Sequence, residues 1–73
     1  MTAAETTRER LLDAAEACFA EIGFHAASVR MITERAGANL AAVHYHFGGK
    51  NGLIEAVITR RIGPVQAERL RRL

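Results

Sequence analysis

Two histidines and a tyrosine stand together in the stretch ERAGANLAAVHYHFGGKNGLIEAV, residues 34–57, and a metal site is the first chemistry to consider. His44 and His46 are two residues apart, and on a helix such positions point about 200° away from each other. A helical zinc pair needs i, i+4 spacing instead. His25 would join them only through the tertiary fold, and Cys18 falls on an apolar helical face. We therefore predict no metal site and no cofactor.

The glycine-lysine pair in GGKN, residues 48–51, invites comparison with a phosphate-binding loop. Such a loop requires GxxxxGK[ST] after a strand, but position 44 is histidine, Asn51 replaces the hydroxyl residue, and no strand pattern precedes it. A tight turn between two helices is the interpretation that we favour. Cys18 and Ser28 have no histidine or aspartate partners readable from the sequence, so we predict that the chain is not an enzyme.

The composition is that of one small soluble domain. The chain has 73 residues, 49% of them hydrophobic and 25% charged, with a net charge of +2. Its one cysteine cannot form an intramolecular disulfide, no signal peptide is recognisable, and no apolar run approaches the roughly 20 residues of a membrane span. We expect a cytoplasmic protein with no membrane partner. Acidic residues crowd the first helix, whereas eight Arg or Lys and three Glu follow from residue 30 onward.

Helical periodicity, interrupted by glycines, predicts an all-α fold. The predicted helices run from about residue 7 to 22, 29 to 36, 40 to 47, 50 to 62 and 64 to 73, after a loose leader over residues 1–6. The first buries an apolar face made of Leu11, Ala15, Cys18, Phe19 and Ile22. Ser28 and Asn39 are the expected N-caps of the second and third helices. Two short helices joined by Gly-Ala-Asn indicate a helix-turn-helix.

The third helix has the residue types of a surface that lies against DNA. Small side chains at its N-terminal end, Leu40, Ala41 and Ala42, would let the backbone approach base edges, and apolar groups can touch thymine methyls. Hydrogen-bond donors for phosphate contacts follow, and others open the second and fourth helices. These donors are His44, Tyr45, His46, Ser28, Arg30 and Lys50. Val43 and Phe47, four residues apart, would face the core instead.

The stretch AGANLAAVHYHFGGKNGLIEAV resembles the helix-turn-helix of TetR-family transcriptional repressors, with Phe47, Lys50 and Leu53 in register. The preceding RERLLDAAEACFAEIGFHAASVRMI is similar to the first helices of that family, so the resemblance spans about residues 7–62. It implies a three-helix, homeodomain-like bundle plus a fourth helix, bound to double-stranded DNA through the third helix. Carried over by position, the DNA-binding residues would be Ser28, Val29, Arg30, Asn39, Leu40, Ala41, Ala42, His44, Tyr45, His46 and Lys50.

Two positions depart from the family pattern, and one role stays open. His44 stands where the family usually has tyrosine, and Gly49 stands where it often has a serine cap. His46 aligns with a common family histidine, which either contacts phosphate or packs on the fourth helix.

The resemblance also predicts how the chain is organised. Residues 1–62 would be the DNA-binding domain, and residues 63–73 the truncated start of a ligand-binding and dimerisation domain. We expect no inducer pocket in this chain, and a homodimer that is weak or absent although the longer family members dimerise. The alternative function is a protein-interaction fragment, which would associate through the apolar face of the fourth helix and bind little DNA. That face consists of Leu53, Ile54, Val57, Ile58 and Ile62, with Leu70 beyond it.

Overall fold

The computed structural model of the protein describes residues 3–63 and Arg69, with side chains from residue 6 onward. The predicted fifth helix lies outside this range apart from Arg69. Four helices follow one another: α1 (Ala3–Ala26), α2 (Val29–Ala36), α3 (Leu40–Phe47) and α4 (Lys50–Ile62). The described residues contain no strand, and the predicted all-α class is confirmed. None of these helices combines the length and apolar character needed to cross a membrane.

Helix α1 begins earlier than predicted, and a short turn follows its predicted end. It begins at Ala3, so a loose leader over residues 1–6 is wrong for residues 3–6. Alanine and glutamate are among the best helix formers, which favours this earlier start. The regular helix ends at Gly23 as predicted, because this glycine is non-helical with φ 84° and ψ 165°, and one further turn runs beyond it to Ala26. That positive φ is accessible to glycine at little cost, and the break redirects the chain toward α2.

The helix-turn-helix is built by the two caps that the sequence predicts. The Ser28 side chain accepts a hydrogen bond from the Met31 amide at 3.1 Å, and the Asn39 side chain accepts one from the Ala42 amide at 2.9 Å. Each cap satisfies an amide that has no partner inside its helix. Between them, Gly37 adopts the left-handed conformation and ends α2. The turn is therefore fixed by local hydrogen bonds.

The core takes one large, fully buried side chain from each helix. Leu11, Ile32, Val43 and Leu53 are all 0% exposed, and they come from α1, α2, α3 and α4 in that order. Cys18 and Phe19 are also buried, as predicted. Ile22 is not: 44% of it is exposed, because it lies next to the Gly23 break. Each helix thus buries its apolar face against at least two of the others, and α1 and α3 each pack on all three.

Arginines of α4 hold that helix against the acidic face of α1. Arg60 contacts Asp13 at 2.9 Å and also pairs with Glu16, whose other oxygen lies 2.9 Å from Arg61. Glu9 lies within 3.6 Å of Arg60 as well. Arg60 and Arg61 are both exposed, and both are engaged with α1. The C-terminal part of α4 is therefore tied to α1.

Candidate nucleic-acid interface

Helix α3 presents one continuous outward face. Leu40, Ala41, His44 and Tyr45 are exposed, with Tyr45 reaching 80%. Positions i, i+1, i+4 and i+5 lie on one side of a helix, so these four side chains form a single surface. Val43, on the opposite side, is fully buried and anchors the helix. The arrangement leaves small and hydrogen-bonding side chains free at one accessible face.

Two of the predicted contact residues turn partly inward. Val29 and Ala42 are half-buried and pack against the hydrophobic core. Val29 is the first residue of α2 and shares its inner side with Ile32, whereas Ala42 precedes the buried Val43. Their side chains therefore contribute to core packing and not to the exposed face.

The two N-cap side chains keep donors available while they cap. A serine hydroxyl has one donor and two acceptor sites, so Ser28 can accept from the Met31 amide and still donate outward. Asn39 accepts through its carbonyl oxygen, which leaves its two amide N–H groups free. Both side chains are exposed and stand where helix dipoles favour an anion. They are suited to phosphate oxygens.

Two cations flank the face. Arg30, whose side chain is 88% exposed, contacts Glu34 through Nε at 3.3 Å. Its guanidinium has further N–H donors that this contact does not use. Lys50, the first residue of α4, is half-buried and donates to the His25 carbonyl at 3.5 Å. The Lys50 ammonium carries three donors, so it can hold this carbonyl and a phosphate together.

The aromatic end of α3 is held by ring contacts. The rings of Tyr45 and His46 meet edge to face, with centroids 4.9 Å apart, and His46 lies 6.0 Å from the Phe47 ring. Arg8 of α1 places its guanidinium carbon 5.3 Å from the centre of the Phe47 ring, a cation–π contact. His46 is half-buried between its neighbours, which leaves open both roles predicted for it.

Helix α4 lies against the end of α3 at a position that only glycine fits. A Cβ on Gly52 would lie 1.8 Å from the backbone oxygen of Phe47. Because that oxygen belongs to the backbone, no side-chain rotation relieves the clash. Gly52 thus sets how closely the first turn of α4, which carries Lys50, lies beside the candidate recognition helix. No sequence motif marks Gly52 as important, because a glycine inside a helix is otherwise expected only to lower the stability of that helix.

Charge on the rest of the domain is largely neutralised within the fold. Hydrogen bonds from Arg61 and then Arg60 hold the pKa of Glu16 below its usual value. Burial works to lower the pKa of Arg60, but its hydrogen bonds to Glu16 and Asp13 outweigh this and raise it. A hydrogen bond to Glu21 raises the pKa of Arg35 in the same way. The spacing of Glu9, Asp13 and Glu16 along one side of α1 was the available sequence signal for these pairs.

The residues considered for other chemistry stay apart. Among the residues that the structure describes, no three His, Cys, Asp or Glu side chains come together as a metal site would require. Cys18 is a buried core residue. His44 and Tyr45 point outward from α3 and belong to the exposed face.

A short helix behind a capped, three-residue turn, with donors around its exposed face, defines a helix-turn-helix domain of the class that binds DNA. A family model described as "Bacterial regulatory proteins, tetR family" matches residues 11–57, which is more than half of the chain. The chain belongs to the TetR family of bacterial regulatory proteins, and the resemblance seen in its sequence is confirmed.

Named relatives agree with this assignment. The HTH-type transcriptional regulator SrpR of Pseudomonas putida is 37% identical over 65 residues, which are 89% of this chain and 30% of SrpR. UidR of Escherichia coli (strain K12) is 40% identical over 57 residues, 78% of this chain and 29% of UidR. The HTH-type transcriptional repressor AcnR of Corynebacterium glutamicum is 39% identical over 51 residues, 70% of this chain and 27% of AcnR. The chain thus spans about 30% of the length of these relatives.

Proposed function

We propose that this chain binds double-stranded DNA with α3 in the major groove and serves as the DNA-binding part of a transcriptional repressor. The observation that carries the proposal is the exposed face of α3, where Leu40, Ala41, His44 and Tyr45 line up opposite the buried Val43. A face of this kind has no role in the core. Repression is proposed because AcnR, a relative of similar identity, is named as a repressor.

The contacts divide into two groups. Leu40 and Ala41 lie at the N-terminal end of α3, where recognition helices reach base edges, and their apolar groups suit thymine methyls. The remaining donors contact the DNA backbone and fix the register of the domain on the duplex. We assign this role to Ser28, Arg30, Asn39, His44, Tyr45 and Lys50. Because apolar groups read few base differences, DNA shape supplies part of the sequence preference.

Two copies are expected to act together on an operator. Helix-turn-helix regulators read two half-sites about one helical turn apart, and each copy supplies one recognition helix. We propose that the 73 residues alone occupy one half-site, bind weakly and remain largely monomeric, and that the site of action is the bacterial cytoplasm. Fusing a dimerising coiled coil to the chain would raise its affinity for a two-half-site duplex.

The alternative, a protein-interaction fragment that uses the apolar face of α4, is less well supported. Leu53 and Val57 are 0% and 5% exposed, and Ile54 packs against the same core. Most of that face is therefore occupied by the chain itself. Ile58 and Ile62 are half-buried and leave little apolar surface to offer a partner.

The test is binding of the 73-residue chain to a pool of random duplex DNA at 50 and 200 mM salt, measured by fluorescence anisotropy. With Arg30 and Lys50 each neutralising one phosphate, the slope of log affinity against log salt should be about −2, so binding weakens about tenfold between the two salts. The double variant Tyr45→Ala, Lys50→Ala should bind less tightly, and its salt slope should be less steep by about one.

Arg61→Ala is the matched control, since it also removes one positive charge. Arg61 lies about 16 Å along α4 from Lys50, by the rise of a helix, and pairs with α1. We expect Arg61→Ala to bind DNA nearly as the wild type does. If the double variant and the wild type bind equally while both are folded by circular dichroism, the proposed DNA face is refuted. Sequences enriched by the wild type would give its half-site.

A further inference from the structure

His25 stands at an exposed position beside the proposed backbone contacts. It lies in the single helical turn between the break at Gly23 and the cap at Ser28, and a hydrogen bond of 3.2 Å from the Ala27 amide to the Gly23 carbonyl closes that turn. The side chain of His25 is exposed. Only two residues separate it from Ser28, a proposed phosphate contact.

The turn that carries His25 is anchored on both sides. The Phe24 ring packs on the Phe19 ring, with centroids 4.9 Å apart, and Ala27 is 0% exposed. His25 is therefore held between two fixed neighbours while its own side chain stays in solvent. A donor on an anchored turn loses less conformational freedom on binding than one on a loose loop.

Lys50 connects this turn to the DNA face. Its ammonium lies 3.5 Å from the His25 carbonyl oxygen, although the two residues are 25 positions apart in sequence. The contact places the first turn of α4 next to the chain segment that leads into the N-terminus of α2. The residue that carries the imidazole, His25, is therefore also the residue whose carbonyl oxygen accepts the hydrogen bond from Lys50.

We propose that His25 is a further contact to the DNA backbone, donating an imidazole N–H to the phosphate held by Lys50 or to an adjacent phosphate. A neutral imidazole offers one N–H donor and the protonated ring two, and the ring reaches further from the backbone than the Ser28 hydroxyl does. The inference rests on the proposed DNA-binding function and adds to it a contact supplied by the turn between α1 and α2.

A charge series at this one position tests the proposal. His25→Lys, His25→Ala and His25→Asp are made in the 73-residue chain and bound to the random duplex pool at 50 and 200 mM salt. Loss of the donor in His25→Ala should weaken binding about two- to tenfold, the range of one hydrogen bond. His25→Asp should bind more weakly still, and His25→Lys more tightly, with a salt slope steeper by about one.

Two comparisons make the outcome specific. Arg61→Ala lowers the net charge of the domain by one, as His25→Asp does, so a contact at position 25 requires a larger loss for His25→Asp. Thermal unfolding followed by circular dichroism checks that all variants are folded. If the three His25 variants bind as the wild type does while Tyr45→Ala, Lys50→Ala still binds weakly, the His25 contact is refuted and the DNA-binding function stands. If the wild type binds no better than that double variant, both proposals fail.

Discussion

Asn39 caps α3 and is a proposed DNA contact, and a pair of substitutions can separate these two roles. Its side-chain oxygen accepts a hydrogen bond of 2.9 Å from the Ala42 amide and caps α3. Replacing an N-cap asparagine with alanine costs about 1 kcal/mol. For a domain of this size, about 1 kcal/mol lowers the Tm by roughly 4–8 °C. Asn39→Ala should therefore melt several degrees below the wild type.

Asn39→Asp should leave the Tm nearly unchanged but weaken DNA binding. Aspartate caps helices about as well as asparagine, and its charge suits the helix N-terminus, so the Tm should stay near that of the wild type. On the DNA face, however, the carboxylate would meet phosphate. Two unit charges about 5 Å apart in water repel by about 0.8 kcal/mol, which is roughly a fourfold loss of affinity. The lost amide donor adds to this deficit.

The assay pairs thermal unfolding by circular dichroism with anisotropy binding at 15 °C, where both variants are folded. Asn39→Gly serves as the control for the cap, because glycine at an N-cap costs only a few tenths of a kcal/mol. The cap role of Asn39 is refuted if Asn39→Ala melts within a degree of the wild type. Its contact with DNA is refuted if Asn39→Asp binds as tightly as the wild type at low salt.

The α1–α4 ion pairs and the close approach at Gly52 give two further predictions. Arg60→Gln with Arg61→Gln should lower the Tm at pH 7 by a few degrees, because exposed pairs contribute little each. The pKa of Glu16 is lower in the folded state, so the stability that its ion pairs contribute is present above the ordinary pKa of 4.5 and is lost as the pH falls through the lower folded value. The Tm difference between this variant and the wild type should therefore shrink at acid pH. A Tm difference that stays constant with pH would contradict the role of Glu16 in these pairs. Gly52→Ala should lower the Tm despite the helix propensity of alanine, because overpacking typically costs about 1–3 kcal/mol of stability. Asn51→Ala, on the exposed side of the same turn, should not lower it. Equal melting of both variants would contradict the close approach of Gly52 to the Phe47 backbone.

Local chemistry explains why the helix-turn-helix was predictable. The caps at Ser28 and Asn39 and the glycine between them act within three or four residues, so their pattern is visible in the sequence. The predicted bounds of α2 and α3 agree with the structure for the same reason. The inward side of α3 was also predictable, because Val43 and Phe47 have helical spacing.

Contacts between distant segments were not predictable in the same way. The Lys50–His25 contact joins residues 25 positions apart, and Arg60 reaches α1 across 44 positions and more. Many pairings of arginines with carboxylates fit the composition equally well, and only the packing of α4 on α1 selects among them. Gly52 belongs here too, since its constraint appears only once α3 and α4 are placed together.

The way the fold uses its charges bears on how tightly one copy can bind DNA. Asp13, Glu16 and Glu21 pair with Arg60, Arg61 and Arg35 within the domain, and these contacts offset the positive charge of the three arginines. The proposed DNA face keeps Arg30 and Lys50, and Arg30 is shared with Glu34. Because phosphate neutralisation dominates the affinity of DNA-binding proteins, one face with two such cations holds DNA only weakly. Pairing two copies doubles these contacts and adds a second recognition helix, which is the reason we expect the operator to carry two half-sites.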